Sequence, residues 1–225
     1  MCLSAKASFT AAAILMPAGV LSTYLAWQTD RRYIAISALP FLFGVQQATE
    51  GLVWTAGQWA DQDLVARYSL AYMFFTWLAW PVGAPVSTYF IEDGRRRSLY
   101  LFFAIAGGML GALQYVPYFA HEGWLTTTFL ERAVRYQDVN LLDFVVTRET
   151  TYVIYAALVT VPFLLSRDRA VKVFGLLVVG VLAVTYIFFA YAYISVFCFG
   201  GALMSLYLVA MILRKPRPKS AMGTA

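Results

Sequence analysis

The chain is poor in the residues on which most polar active sites are built. Only 13% of its 225 residues are charged, there is one histidine, His121, and there are two cysteines, Cys2 and Cys198. A single histidine excludes, within one chain, a three-histidine hydrolase centre and bis-histidine haem ligation, while His/Met ligation stays open. The two cysteines lie far apart in sequence and lack the short spacings of common zinc motifs. No lysine falls between Ile194 and Leu213, so a retinal Schiff base like that of the rhodopsins has no attachment point there. No low-complexity linker, internal repeat or complete catalytic motif is visible.

What is present is apolar surface. Hydrophobic residues make up 61% of the chain and the mean hydropathy is +0.67, well above the usual half for a soluble domain. Lipid is the expected solvent. A bilayer core of about 30 Å takes roughly 20 helical residues per crossing. Spans are expected at 8–27, 33–56, 64–91, 98–120, 149–166, 170–190 and 195–213. The prediction is one all-α domain, an integral membrane seven-helix bundle covering residues 1–213. Residues 170–213 form a nearly unbroken apolar run, too long for one span, and its reversal is expected within 191–195; the alternative is six crossings and one tilted helix.

Short basic loops resist translocation. The connections after spans 1, 3 and 5, together with the tail, hold Arg31, Arg32, Arg95, Arg96, Arg97, Arg167, Arg169, Lys172, Arg214, Lys215, Arg217 and Lys219, twelve of the seventeen basic residues. This predicts an outer N-terminus, a basic cytoplasmic tail over 214–225 and a cell-membrane location. Lys6 dissents, but no small-residue cleavage site closes the first apolar run, so an uncleaved first helix is expected rather than a signal peptide. Topology accounts for the pI near 9.2, and no nucleic-acid partner follows from it. The tail should lie against anionic lipid headgroups.

The long connection, residues 121–148, carries Trp124, Phe129, Leu130, Val134, Leu141, Leu142 and Phe144 among charges. That spacing suits an amphipathic helix on the outer surface or a lid over the bundle. Pro17, Pro40, Pro81, Pro85, Pro117 and Pro162 fall inside expected helices, and the segment 81–85 should bend the third span. Gly107, Gly108 and Gly111 form a small-residue face suited to close helix packing.

Glu50 is the one acidic side chain deep in an expected span. It should face the bundle interior, protonated, paired, hydrogen-bonded or bound to a cation. Gln46 and Trp54 share its helix face and Gln47 borders it. These four form the candidate ligand site. The bland alternative is polar glue between spans 2, 3 and 7, with Arg67 as counter-ion. Topology brings Cys2 and Cys198 to the outer side, where a disulfide is one reading. A second is a metal set of Cys2, Cys198, His121 and Glu50 suited to zinc or copper, and a third is a pair of unremarkable buried thiols. His121, beside Glu122 and Trp124, belongs at headgroup level. The aromatics of span 3, Tyr72, Phe74, Phe75, Trp77 and Trp80, run too deep for an interfacial belt alone and suit either core packing or a flat or lipidic ligand.

The opening Met1-Cys2-Leu3-Ser4-Ala5, the segment from Leu39 to Trp54 with Gln46, Gln47 and Glu50, and Ser195 to Phe199 with Cys198 together resemble an uncharacterised family of bacterial multi-pass membrane proteins. The usual opening there is Met-Cys-Phe-Ser-Ala, and Leu3 departs from it. The resemblance covers most of the chain and implies no activity.

The reading that results is a binding or sensing protein, with Glu50 as anionic ligand or proton acceptor for a metal ion or small molecule arriving from outside. An enzyme rival is a metal-dependent lipid hydrolase with Glu50 as base. A transporter should carry internal pseudo-symmetry, which is absent by eye. A structural subunit is the fourth reading, and a homo-oligomer is compatible with all of them.

Overall fold

Ser4 starts the first helix, its hydroxyl accepting from the Ala7 N–H at 3.3 Å, and α1 then runs Ala5–Thr29. The computed structural model describes residues 4–131, 133–139, 141–189 and 192–215. A 3-10 turn, Arg31–Tyr33, leads into α2, Ile34–Ser37, and α3, Leu39–Gln58. The break at Ala38 precedes Pro40, which has no N–H to continue the ladder. The hydroxyl of Ser22 on α1 donates to the Ser37 carbonyl there at 2.8 Å.

The third segment comprises α4, Gln62–Phe74, a π turn, Phe75–Ala79, and α5, Trp80–Ile91. The fourth is α6, Arg96–Tyr115, continued by α7, Pro117–Ala120. After the long connection come α8, Arg148–Leu165, α9, Arg169–Phe188, and α10, Tyr193–Leu213. Side-chain oxygens cap the starts of α4, α8 and α9: Asp61 accepts from Leu64 N, Thr147 from Thr150 N, and Asp168 from Ala170 N and Val171 N. Among the described residues, four helical stretches are by themselves long and apolar enough to cross a membrane: Ala5–Thr29, Arg96–Ala120, Arg169–Phe188 and Tyr193–Leu213. The expected reversal near 191–195 comes slightly earlier, since α9 ends at Phe188 and α10 begins at Tyr193.

Glycine lets two helix pairs touch at the backbone. On α3, Gly44 meets Met16 and Gly51 meets the Phe9 ring, while Gly19 of α1 lies against the Phe41 backbone, so α1 and α3 run closely antiparallel. On α6, a Cβ at Gly107 would lie 2.1 Å from the Pro81 carbonyl oxygen, and one at Gly111 would lie 2.4 Å from that of Trp77. These are the carbonyls, four residues before Pro85 and Pro81, to which those prolines have no N–H to donate. The two glycines therefore face the two carbonyls that the prolines cannot serve, in matching i, i+4 steps. The irregularity of this segment is the π turn just before Pro81, and α5 continues unbroken past Pro85.

The connection 121–148 departs from the amphipathic helix expected of it. It holds an antiparallel hairpin, β1 Leu125–Phe129 and β2 Val134–Asp138, and a 3-10 turn, Leu141–Phe144. Three consecutive threonines and the strict alternation of buried Val134, Tyr136 and Asp138 with exposed Arg135 and Gln137 carry a period of two. Of the seven apolar residues read as a helical stripe, Phe129 and Val134 belong to the strands and Leu141, Leu142 and Phe144 to the 3-10 turn, while Trp124 and Leu130 flank β1. The hairpin is tied to the bundle by the Ser69–Thr127 hydroxyl pair at 2.7 Å and by Gly57, whose missing Cβ leaves room for the Phe129 ring.

At the opposite end the connections interlock. Glu92, after α5, accepts from the Ser166 hydroxyl at 2.8 Å and the Arg167 N–H at 2.6 Å, and Arg96 donates to the Leu165 carbonyl at 3.0 Å. Tyr33 donates to Asp168, and Lys215, after α10, lies over the Tyr33 ring.

Candidate functional site

Within α3, Gln47 lies on the stripe between Gly44 and Gly51 that meets α1, while Gln46 and Glu50 look towards α5 and α10. All three are fully buried. The Trp80 indole N–H, at the start of α5, donates to Gln46 Oε1 at 2.9 Å, and its ring stacks on Phe43 at 3.9 Å. Ser195, in the first turn of α10, donates its hydroxyl to Glu50 Oε1. One turn further, Cys198 is buried, with its sulfur 3.8 Å from the Thr76 hydroxyl in the π turn. Tyr72 of α4 lies against Cys198 and Glu50, and its ring stacks at 4.8 Å on Tyr136 of the hairpin.

Four parts of the fold thus converge on one carboxylate: α3, the α4–α5 segment with its π turn, the first turns of α10, and β2. The π turn, an extra residue in the helical step, carries Thr76 and Trp77 to the interior where a regular helix would rotate one of them away. Trp54 is half-buried, its ring 5.7 Å from Phe129.

The polar atoms outnumber their partners. Glu50 Oε2, both amide atoms of Gln47, Gln46 Nε2, the Trp54 indole N–H and the hydroxyls of Tyr72, Tyr136 and Tyr155 are buried without a hydrogen bond of ordinary geometry, although Gln47 approaches Glu50, and Tyr72 and Gln46 approach the Cys198 thiol. Each such atom costs about 1–3 kcal/mol when left unmade in a protein interior. Natural structures keep them few. No Lys or Arg forms an ion pair with Glu50 among the described residues. Arg67, expected as its counter-ion, is exposed instead, because α4 turns that position outward opposite the buried Val65, Ser69 and Tyr72.

The metal set is divided. Cys198 and Glu50 are near each other. His121 is exposed at the end of α7 and stacks on Trp124 at 4.2 Å. Cys2 lies outside the described residues, two positions before the cap of α1. Among the described residues no three His, Cys, Asp or Glu side chains are grouped to hold a metal ion. The clustered donors and acceptors are mainly amides, indoles and phenols.

Ser195, Tyr136 and Thr76 went unassigned in the sequence. Ser195 and Cys198 stand at i, i+3 on the last helix, a polar face in an otherwise apolar run and the one local signal available. Tyr136 carried none, since its strand was not recognised.

No curated protein and no solved structure matches the chain. Over residues 1–223 the sequence matches a family of unknown function, DUF6629, and the chain belongs to that family.

Proposed function

We propose that this protein is a seven-span membrane protein, outer at its N-terminus, that binds a small hydrogen-bonding molecule with a cationic group at the polar cluster around Glu50. The observation that carries the reading is the cluster of buried polar atoms that lack well-made hydrogen bonds around one carboxylate with no ion-pair partner among the described residues. In a membrane interior such a cluster persists where something compensates for it. Glu50 Oε2 and Gln47 Oε1 accept, whereas Gln46 Nε2, Gln47 Nε2 and the Trp54 N–H donate, and a mixed set of this kind favours an organic ligand over a bare ion. The orientation is supported by the charges: the interlocked end gathers Arg31, Arg32, Arg95 to Arg97, Arg167, Arg169, Arg214 and Lys215, and the hairpin and Glu50 lie towards the other end.

Native mass spectrometry and elemental analysis of the detergent-purified chain, beside Glu50→Gln, test this. A stoichiometric organic adduct in the wild type that is absent from Glu50→Gln is the expected result. Stoichiometric zinc or copper lost in Glu50→Gln and Cys198→Ser would replace the organic ligand with a metal. A chain free of adduct and metal, with no turnover of added lipid, would leave Glu50 as helix glue and overturn the binding reading.

A further inference from the structure

A second polar space lies between the hairpin and the first turns of α8 and α10. It has a volume of about 270 Å3, and its walls include Arg135, Tyr136 and Asp138 of β2, Arg148 of α8 and Tyr193 of α10. Tyr136, one of its walls, stacks on Tyr72 of the Glu50 cluster, and Tyr193 stands two residues before the serine that bonds Glu50. The space is thus an outer compartment above the first site.

Its charges are incompletely matched. The Asp138 side chain is only 1% exposed. Tyr118 donates to its Oδ2 at 3.0 Å and the Trp77 indole lies against the carboxyl, but Oδ1 makes no hydrogen bond of ordinary geometry, and the nearest guanidinium nitrogen, Arg148 Nη1, stands 3.7 Å away, beyond hydrogen-bond reach. Arg148 commits Nε and Nη2 to Asp143 and Nη2 also to the Asp138 carbonyl at 2.7 Å, which leaves Nη1 with that long contact alone. Arg135 is exposed and enters no ion pair among the described residues. One buried aspartate and two arginines on separate elements therefore line one small volume.

A ligand that satisfies both signs carries an ammonium group and an anionic group a few ångströms apart. Two guanidiniums on different elements suit a phosphate, whose several oxygens can be shared between them, better than a carboxylate, which one Arg fork saturates. We propose that this compartment binds a small ammonium–phosphate zwitterion, with the ammonium on Asp138 and the phosphate on Arg148 and Arg135. The same chemistry occurs in free phosphoethanolamine and in the headgroup of phosphatidylethanolamine. The proposal does not rest on the ligand of Glu50.

Calorimetric titration of the full detergent-purified chain with O-phosphoethanolamine tests it, with inorganic phosphate and ethanolamine as the separate halves. Saturable binding about tenfold or more tighter than either half is expected, weakened about tenfold by Arg135→Gln and by Asp138→Asn and unchanged by Glu50→Gln. Arg135 is exposed, so its variant keeps the test valid should Asp138→Asn fail to fold. If the headgroup is the natural source, nanodiscs of phosphatidylethanolamine raise the melting temperature above those of phosphatidylglycerol, and Arg135→Gln abolishes the difference. Equal binding of inorganic phosphate, an unaffected Arg135→Gln, or no response to either the soluble probe or the lipid would overturn the proposal.

Discussion

Glu50 distinguishes a site from glue through the sign of one stability change. Gln at this position keeps the length of the side chain and an oxygen to accept from Ser195, while removing a buried charge that has no ion-pair partner among the described residues. If the carboxylate exists to hold helices together, Glu50→Gln should lower the melting temperature. If it exists to bind, the ligand-free variant should melt at the same temperature or a few degrees higher, because function is held at a cost in stability. Thermal unfolding in detergent, followed by circular dichroism, decides between them, and a clear drop would favour glue. At this scale the sequence was legible where it broke a rule. Gln46, Gln47 and Glu50 stand out because lipid-facing positions rarely carry them. Ser195 and Thr76 do not stand out, since hydroxyls satisfy themselves along a helix, and Tyr72 stands out only as one of five deep aromatics in its span. Their part in the cluster depends on packing between helices that no single-segment pattern contains.

Between elements, the pairing of α5 with α6 makes a sharper prediction. Gly107→Ala and Gly111→Ala each drive a methyl into a backbone carbonyl, so the helices must part, and each should destabilise by about 1–3 kcal/mol. Gly108→Ala meets only a Val82 methyl at 3.6 Å and should be neutral. Melting temperatures of the three variants are the measurement; equal effects at all three would mean that backbone contact is not what holds this pair. The small-residue face was readable because glycine spacing survives without knowledge of the partner. The hairpin was not, because its apolar residues, counted without strand boundaries, fit a helical period as well as two short alternating runs. Its docking carries its own signature. Burial pushes the Asp138 carboxyl above its ordinary value of 3.8, partly offset by Arg148 and the Tyr118 hydroxyl, with Tyr152 and Tyr193 also facing it. A carboxyl whose folded pKa is raised takes up its proton more readily when docked. Docking therefore strengthens as pH falls through the folded value, and the gain is complete below the unfolded one. Hydrogen exchange of the β2 amides, corrected for intrinsic rates, should slow as pH is lowered from neutrality, and Asp138→Asn should flatten the trend.

Over the whole molecule, the asymmetry between the two ends links fold to function. One end is laced together by side chain to backbone bonds around Glu92, Ser166 and Asp168 and is rich in arginine; the other opens through a hairpin onto buried polar groups. With the arginine-rich end inside, as proposed above, a laced inner end and a covered outer compartment suit a protein whose ligand arrives from outside. The charge distribution along the sequence already contained this polarity, because loop charges are read one connection at a time and need no tertiary information. The polarity is also open to direct reversal. In a Cys2→Ser background, with Cys198 buried and unreactive, Glu122→Cys on the hairpin side should react with a membrane-impermeant maleimide on intact cells, whereas Arg95→Cys should react only after the cells are opened. The opposite pattern would put the hairpin, the zwitterion compartment and the route to Glu50 in the cytoplasm. The ligand would then have to be an intracellular molecule, and the two polar compartments would keep their chemistry while losing their proposed source.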